Sequence, residues 1–407
     1  MKTVIFIGVN KSGSSREAVK AAEQNGYYTV VFTDREKQIE QREEYPDVHQ
    51  LILLETLNIK DLKKQIKALQ QKGNEIIAIT SFIDQHVYTA SVLADEFCQN
   101  YLLTESVFVM ENKEEQRKFF SNESFTPKFV LIDKDTPPKR VTLPKNLKYP
   151  VMVKSSKSCG SKDALFAGNI EEVQKFIKKL KDKYPDDTII IEEYIEGEQY
   201  LVEVLVTNGR ILTAAIIQQE ITKGKRFIVT GYNVLAKVEP EIEEGINKII
   251  KSITSKLKIK NGAFHLEMRH NTDGWKLIEI NPRISGGAMN KMIQAAFGYS
   301  LVAETLKMLM GEKPSLVKKT NHFVFTQYVI IDYKGILEKV TGKKRASRSP
   351  GVVEVYVKPK KGTKIQPPLS MGHRYAYVIA KGETKEEAQR LAKEAAQEIE
   401  FHIKKDE

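Results

Sequence analysis

The sequence predicts an α/β protein, α+β overall, and three observations predict it. Over residues 1 to about 100, short β-branched runs alternate with helical spacing, the pattern of a parallel sheet with its crossover helices. Further along, two apolar runs around Phe264–Met268 and Leu277–Ile280 flank Asn271-Thr272-Asp273-Gly274, a turn sequence that closes a β-hairpin and so calls for antiparallel sheet. At 407 residues the chain also exceeds one ordinary core, which sets an expectation of about two to four domains.

The first strands are expected at residues 4–7, 29–33, 51–54 and 76–80. A helix starting near Ser14 or Ser15, with Ala18, Val19 and Ala22 on one face, packs behind the first of them. The intervening Gly8-Val9-Asn10-Lys11-Ser12-Gly13-Ser14 lacks both the Lys-Ser/Thr of a P-loop and a Gly-x-Gly-x-x-Gly, and reads as a tight strand-to-helix turn. Residues 104–120 read as helical, and Thr126-Pro127 begins a new unit. Strands at 151–154 and 189–192 bracket an amphipathic helix over 170–183. A closing helix over about 384–399 opens with Thr384-Lys385-Glu386-Glu387, a capping-box pattern. These breaks divide the chain at 1–103, 104–125, 126–206, 207–315 and 316–407.

Composition narrows the function. With 41% hydrophobic and 29% charged residues the chain has the make-up of a soluble globular protein. Its net charge of +11 comes from lysines spread along the sequence, and the densest run, Lys343-Lys344-Arg345 with Arg348, lacks interleaved aromatics. That run reads as a solvated loop, and no nucleic-acid partner is expected. Cys98 and Cys159 have neither metal-ligand nor disulfide-framework spacing, which fits a reducing cytoplasm. The apolar start after Met1-Lys2 is cut off by Asn10-Lys11 and reads as a strand and not a signal peptide. No run of about 18 apolar residues occurs, so no membrane span is expected.

The chemistry concentrates at the hairpin. Pairing its strands sets Glu267 beside Glu279, and Asn281, two residues on, shares Glu279's face. Three hard oxygen donors converge where a divalent cation, Mg²⁺, relieves carboxylate repulsion, and the usual partner of that ion is a nucleoside triphosphate. Arg283 adds a planar fork for a phosphate oxygen or oxyanion. His265 is expected on the opposite strand face from Glu267, as a packing residue. Lys154 ends an apolar strand and leads into Ser155-Ser156-Lys157-Ser158-Cys159-Gly160-Ser161-Lys162, whose small residues let backbone N–H groups approach phosphate; an exposed surface loop is the alternative reading. Few apolar residues hold that loop down, so it is expected to be a mobile lid. Lys113, opening a helix, is either a phosphate ligand or an exposed first-turn lysine.

Glu267 followed by Glu279-Ile280-Asn281-Pro282-Arg283 resembles the metal signature of the ATP-grasp superfamily of carboxylate–amine ligases. Gly372-His373-Arg374 through Ala380-Lys381-Gly382-Glu383-Thr384 resembles the terminal subdomain of the L-amino-acid ligases and their biotin-carboxylase-like relatives, and Asn281-Pro282-Arg283 with Ser285-Gly286-Gly287 is closest to the bacterial L-amino-acid ligases. The resemblance implies an ATP-grasp fold: an N-terminal Rossmann-like parallel-sheet domain, a helical linker, a small lid subdomain, a central antiparallel metal-binding subdomain and a C-terminal α+β subdomain. It implies ATP as co-substrate and Mg²⁺, two ions, with Mn²⁺ as a substitute. It makes Glu192-Glu193-Tyr194-Ile195 the adenine hinge, Glu198 or Gln199 the ribose ligand, and Glu267, Glu279 and Asn281 the metal ligands. Lys113, Lys154, Ser155, Ser156, Gly160 and Ser161 fall to the phosphates, and Arg283 to the acyl phosphate and tetrahedral intermediate. The implied reaction joins two L-amino acids into a dipeptide through an aminoacyl phosphate, in a cytoplasmic monomer or homodimer. The alternative is another ATP-grasp ligation of a carboxylate or bicarbonate.

Overall fold

The computed structural model describes residues 1–157, 163–223, 227–368 and 373–404. The chain begins with β1 (Lys2–Ile7), β2 (Tyr28–Thr33), β3 (Gln50–Leu53) and β4 (Glu75–Thr80), paired in the order β3-β2-β1-β4 with every pair parallel. Alternate residues serve opposite faces of this sheet. Ile5, Ile7, Val30 and Phe32 pack with Leu62, Ile66 and Leu93 of two helices, while Val4, Phe6 and Val31 join Ala18, Val19 and Ala22 of the helix Ser14–Gln24. Both faces are apolar because both are covered. The carboxyl end of β4 leads into a loop holding Asp84, the edge of a parallel sheet where ligands gather.

The helical segment expected over 104–120 is two helices, Thr104–Glu111 and Lys113–Phe119. Asn112 separates them in an extended conformation, and its side-chain oxygen accepts from the N–H groups of Glu114 and Glu115. An N-cap interrupting an otherwise helical run re-aims the second helix, and Lys113 becomes its first residue.

A second sheet of four antiparallel strands follows: β5 (Phe129–Ile132), β6 (Val151–Ser155), β7 (Ala164–Ala167) and β8 (Ile189–Glu193), in the order β5-β8-β6-β7. The helix Ile170–Lys183 lays Val173, Ile177 and Leu180 on it. Next come β9 (Glu198–Thr207), β10 (Arg210–Lys223), β11 (Phe227–Val234), β12 (Gly262–Asn271) and β13 (Gly274–Asn281). The C-terminal strands are β14 (Phe323–Val329), β15 (Gly335–Thr341), β16 (Val352–Val357), β17 (Lys364–Ile365), β18 (Ala376–Gly382) and β19 (Glu400–Lys404). One eight-stranded sheet takes the order β13-β12-β9-β10-β11-β14-β18-β16, and a three-stranded sheet takes β17-β15-β19.

Sheet membership cuts across two of the sequence divisions. Residues 198–206, read with the preceding unit, form β9 near the middle of the large sheet, and β14, β16 and β18 extend that sheet from beyond residue 315. Strand pairing between distant segments leaves no local mark, so composition shifts do not reveal it. The basic run at 343–345 is a short helix, Lys343–Ala346, with Arg345 paired to Glu398 at 2.7 Å, and not the loop that was expected. The closing helix runs Lys385–Gln397 with Thr384 capping the Glu387 N–H.

Behind the β12–β13 hairpin lies the helix Pro240–Lys256, whose Ile246, Ile249, Ile250 and Ile253 pack against Phe264, Leu266, Met268, Leu277 and Ile280. Gly245 of this helix lies against the indole of Trp275, where an added Cβ would overlap Nε1. Gly245→Ala should therefore lower stability by about 1–3 kcal/mol in a urea titration, in spite of alanine's better helix propensity. A stabilised variant would show that the helix does not press on the hairpin.

Candidate active site

A cavity of about 1140 Å³ opens between the second sheet and the eight-stranded sheet. The β12–β13 ladder pairs Glu267 directly with Glu279 and His265 with Asn281. The apolar residues of the hairpin point to the helix behind it, so Glu267, Glu279 and Asn281 face the cavity. The ladder passes over Ile278 at an irregularity beside Glu267, and the freed Ile278 carbonyl accepts from Arg117 at 2.7 Å.

Two carboxylates opposite each other in a buried pair repel. Lys113 takes up one, its Nζ lying 2.8 Å from Glu279. Burial would raise Glu279, but Lys113 outweighs it and holds Glu279 below the ordinary carboxylate range. Glu267 bears the consequence: burial, then the charge of Glu279, pushes it up to about 7. Among the described residues it accepts a single, weak hydrogen bond, from Gln199 Nε2 at 3.3 Å.

His265 shares this face, contrary to expectation, because residues two apart on a strand point the same way. Its Nδ1 lies 2.9 Å from the Arg283 carbonyl, which only accepts, so Nδ1 carries the proton. Burial, then Arg283, holds the ring down at about 4, so it is neutral, and Nε2 accepts from Asn281 Nδ2 at 3.2 Å. This fixes the Asn281 amide with its nitrogen toward the histidine and its oxygen uncommitted by it. The resulting donor set of two carboxylates and an amide oxygen suits a hard divalent cation. Among the described residues, no group of three or more His, Cys, Asp and Glu side chains could hold a metal ion.

The second sheet presents a buried ion cluster to the same cavity. Glu192 is gripped by Lys154 on one oxygen and by Arg117 at 2.9 Å on the other. Burial would raise its pKa, yet Arg117 and then Lys154 hold it low, while burial lowers that of Lys154. The Glu192 carboxylate is thus committed to these cations. Ser155 is fully buried and donates to Asp187 at 2.7 Å, whereas Ser156 and Lys157 line the cavity. Gly160 and Ser161, and the rest of the expected lid beyond Lys157, lie outside the described residues. Glu193, Tyr194 and Ile195 line the cavity beyond Glu192. The Glu193 N–H donates to Lys128 O, and Arg269 binds the Ile195 carbonyl while standing 5.4 Å over the Tyr194 ring. Of the two ribose candidates, Gln199 lines the cavity, with Arg269 Nε donating to it at 2.9 Å; Glu198 instead accepts from Tyr200 at 2.6 Å.

Four residues that sequence reasoning did not select complete the surroundings. Asp84 is ion-paired with Arg283, which outweighs burial and lowers its pKa. Its position just past a parallel strand was the available signal. Arg117 and Arg269 sit four and two residues from Lys113 and Glu267 respectively, close enough to share their faces. Glu203 is completely buried and accepts the Ser285 N–H on both oxygens, at 3.1 and 3.2 Å, holding the turn that follows Arg283. The first strand-to-helix turn serves the same region: Ser14 donates to the Ser285 carbonyl at 2.6 Å, and Gly13 abuts Gly287 so closely that a Cβ would lie 3.1 Å from its nitrogen.

Residues 147–291 match the ATP-grasp domain family, and residues 327–404 match L-amino acid ligase C-terminal domain 2. An uncharacterized protein, y4rH, of Sinorhizobium fredii is 26% identical over 53% of this chain and 44% of its own length. The L-arginine-specific L-amino acid ligase of Bacillus subtilis is 22% identical over 64% of this chain and 64% of its own. The chain thus spans about half to two thirds of the length of these curated relatives. The crystal structure of L-amino acid ligase from Bacillus licheniformis superposes with a TM-score of 0.84 at 16% identity, covering 99% of each chain, a likeness that establishes the fold.

Burial pushes Glu203 up to about 7 from 4.5. Between those values the folded chain holds a proton that the unfolded chain has released, so this residue makes stability fall as pH rises through the window. Relative to Glu203→Gln, the wild type should lose up to about 3 kcal/mol between pH 4.5 and 7. Urea unfolding of both proteins at the two ends checks this, and parallel pH profiles would refute it.

Proposed function

The chain is an ATP-grasp protein related to the L-amino-acid ligases, and on that premise we propose that it is an ATP-dependent carboxylate–amine ligase that joins two amino acids into a dipeptide. The observation that carries the reading is the buried Glu267–Glu279 pair with Asn281 beside it, Lys113 in contact with Glu279 and Lys154 lining the same cavity. A sheet stabilised for its own sake would not bury two opposed carboxylates.

A free carboxylate does not acylate an amine, because its leaving group would be oxide. Its oxygen first attacks the γ-phosphorus of ATP, the bond to the β-phosphate oxygen breaks, and ADP leaves. The neutral amine nitrogen then attacks the acyl phosphate carbonyl, the carbon–oxygen bond to phosphate breaks, and the nitrogen gives up one proton to the departing phosphate or to water. In this scheme Lys113 and Lys154 orient the triphosphate, while the strand end from Glu193 to Ile195 and the Tyr194 ring shape the slot for adenine. Arg283, set by Asp84, His265 and the Glu203-held turn, stabilises the transferring phosphoryl group and then the oxyanion. Glu267, Glu279 and the Asn281 amide oxygen would hold Mg²⁺, which supplies charge neutralisation at the triphosphate when bound. The acyl group passes from substrate to substrate, so no side-chain nucleophile is needed.

Three substitutions test this. Glu267→Gln and Glu279→Gln keep side-chain size but remove charge, and each should lower amino-acid-dependent ADP formation by at least about a hundredfold in a folded protein, with weaker Mg²⁺-ATP binding by calorimetry. Arg283→Lys keeps the charge and loses the planar fork, so kcat should fall far more than KM for ATP changes. Near-normal turnover in the folded glutamine variants would sink the metal assignment; an active Arg283→Lys would make that arginine merely structural.

A further inference from the structure

Among the described residues three arginines line the cavity: Arg269, Arg283 and Arg374. Arg269 is engaged by the Ile195 carbonyl and Gln199, and Arg283 by Asp84 and the Ile284 carbonyl. Arg374 differs. Its guanidinium stands 4.3 Å over the Tyr328 ring and 5.7 Å from the centre of the Tyr232 ring, donates a long hydrogen bond of 3.4 Å to Tyr232 Oη and is also hydrogen-bonded to the Tyr328 hydroxyl. Among the described residues no carboxylate pairs with it, and the internal segments 158–162, 224–226 and 369–372 contain no acidic residue. Two aromatic faces thus hold a planar cation at the cavity wall with its hydrogen-bonding edge unmatched by an anion.

Beside it is a second unmet group. Gln219 pairs with Tyr232 across β10 and β11 and with Gln199 across β10 and β9, so it lies one strand nearer to the Glu267 row than Tyr232 does. Its side-chain carbonyl oxygen is buried and, among the described residues, has no hydrogen-bond donor. A buried acceptor without a donor costs stability and points to a ligand. Gln219 and Arg374 line the same cavity, both beside Tyr232, and an anion seat next to an N–H acceptor suits an α-amino acid, whose amine nitrogen and carboxylate carbon are about 2.5 Å apart.

We propose that Arg374 seats the free carboxylate of the amine-donating amino acid, with Gln219 accepting from its amine and turning that nitrogen toward the Glu267 row. This rests on the ligase reading above and deepens it. Of the two substrate carboxylates, one is consumed by activation beside Arg283. The other persists in the product, and it requires a separate anion seat.

The test is a competition. ATP, Mg²⁺ and an equimolar mixture of L-amino acids and their α-amides are supplied together, and dipeptides and dipeptide amides are counted by mass spectrometry. The amides lack a carboxylate and therefore act only as amine donors. The wild type should favour dipeptide acids by about a hundredfold, a charge-assisted bidentate contact being at stake. Arg374→Met should cut that ratio at least tenfold, Arg374→Lys less, and Gln219→Leu should lower both products without moving the ratio. An unchanged ratio in an Arg374→Met protein that still makes dipeptides overturns the carboxylate seat while the ligase reading stands. Loss of both products alike shows that Arg374 is not selective for the donor carboxylate and also overturns it. A wild type that makes neither product overturns the ligase reading and this inference together.

Discussion

The opposition of Glu267 and Glu279 across one strand pair is the constraint around which the surrounding structure is arranged. Like charges facing each other in a ladder destabilise it, and burial multiplies the cost because the charged forms lose water. Each nearby cation is placed by a distinct local device. Lys113 reaches Glu279 because Asn112 breaks a helical run and starts a new helix at that lysine. Arg117, one helical turn on, takes the carbonyl that the ladder irregularity frees and secures Glu192 with its remaining donors. The charges are distributed so that Glu192 is fully matched and Glu267 is not, and that leaves Glu267 with the raised pKa.

Such a cost is sustained from the other face of the same hairpin. Phe264, Leu266, Met268, Leu277 and Ile280 are essentially solvent-free against the isoleucines of the helix behind them. Fully burying one such side chain contributes about 1.5–3 kcal/mol, so this face outweighs an unfavourable carboxylate contact several times over. The period-2 alternation of a strand makes the two roles compatible: one set of residues anchors the hairpin and the interleaved set lines the cavity.

Local signals in the sequence were sufficient for the hairpin and the parallel sheet. Turn residues at 271–274 and alternating apolar positions fixed which residues pair, and Glu267 does lie opposite Glu279. The N-terminal strands were likewise legible because each is a short β-branched run between turn signals. What failed was non-local. Residues 198–206 carry no mark that they join the large sheet, and the break at Asn112 hid inside residues that otherwise favour a helix. The placement of His265 was an error of periodicity, since two residues along a strand return to the same face. Asp84 could not be tied to Arg283 from the sequence because 199 positions of chain separate them and only the docked fold brings them together.

That docking explains why the site belongs to no single segment. The turn at Gly13-Ser14 meets Ser285 and Gly287, Asp84 meets Arg283, and Glu203 of β9 holds the same turn from beneath. A loop after Arg283 clamped from both sides has little freedom, so the guanidinium is aimed by contacts made before any ligand arrives, the preorganisation that electrostatic catalysis demands. The surroundings of Arg374 on the same cavity are different in kind. Arg374 is held by aromatic faces and not by acids, so its orientation is fixed while its charge stays unspent. The cavity thus holds one arginine neutralised by an acid and one that is not, an asymmetry that, on the proposed reaction, would distinguish a carboxylate to be transformed from one that is only to be recognised.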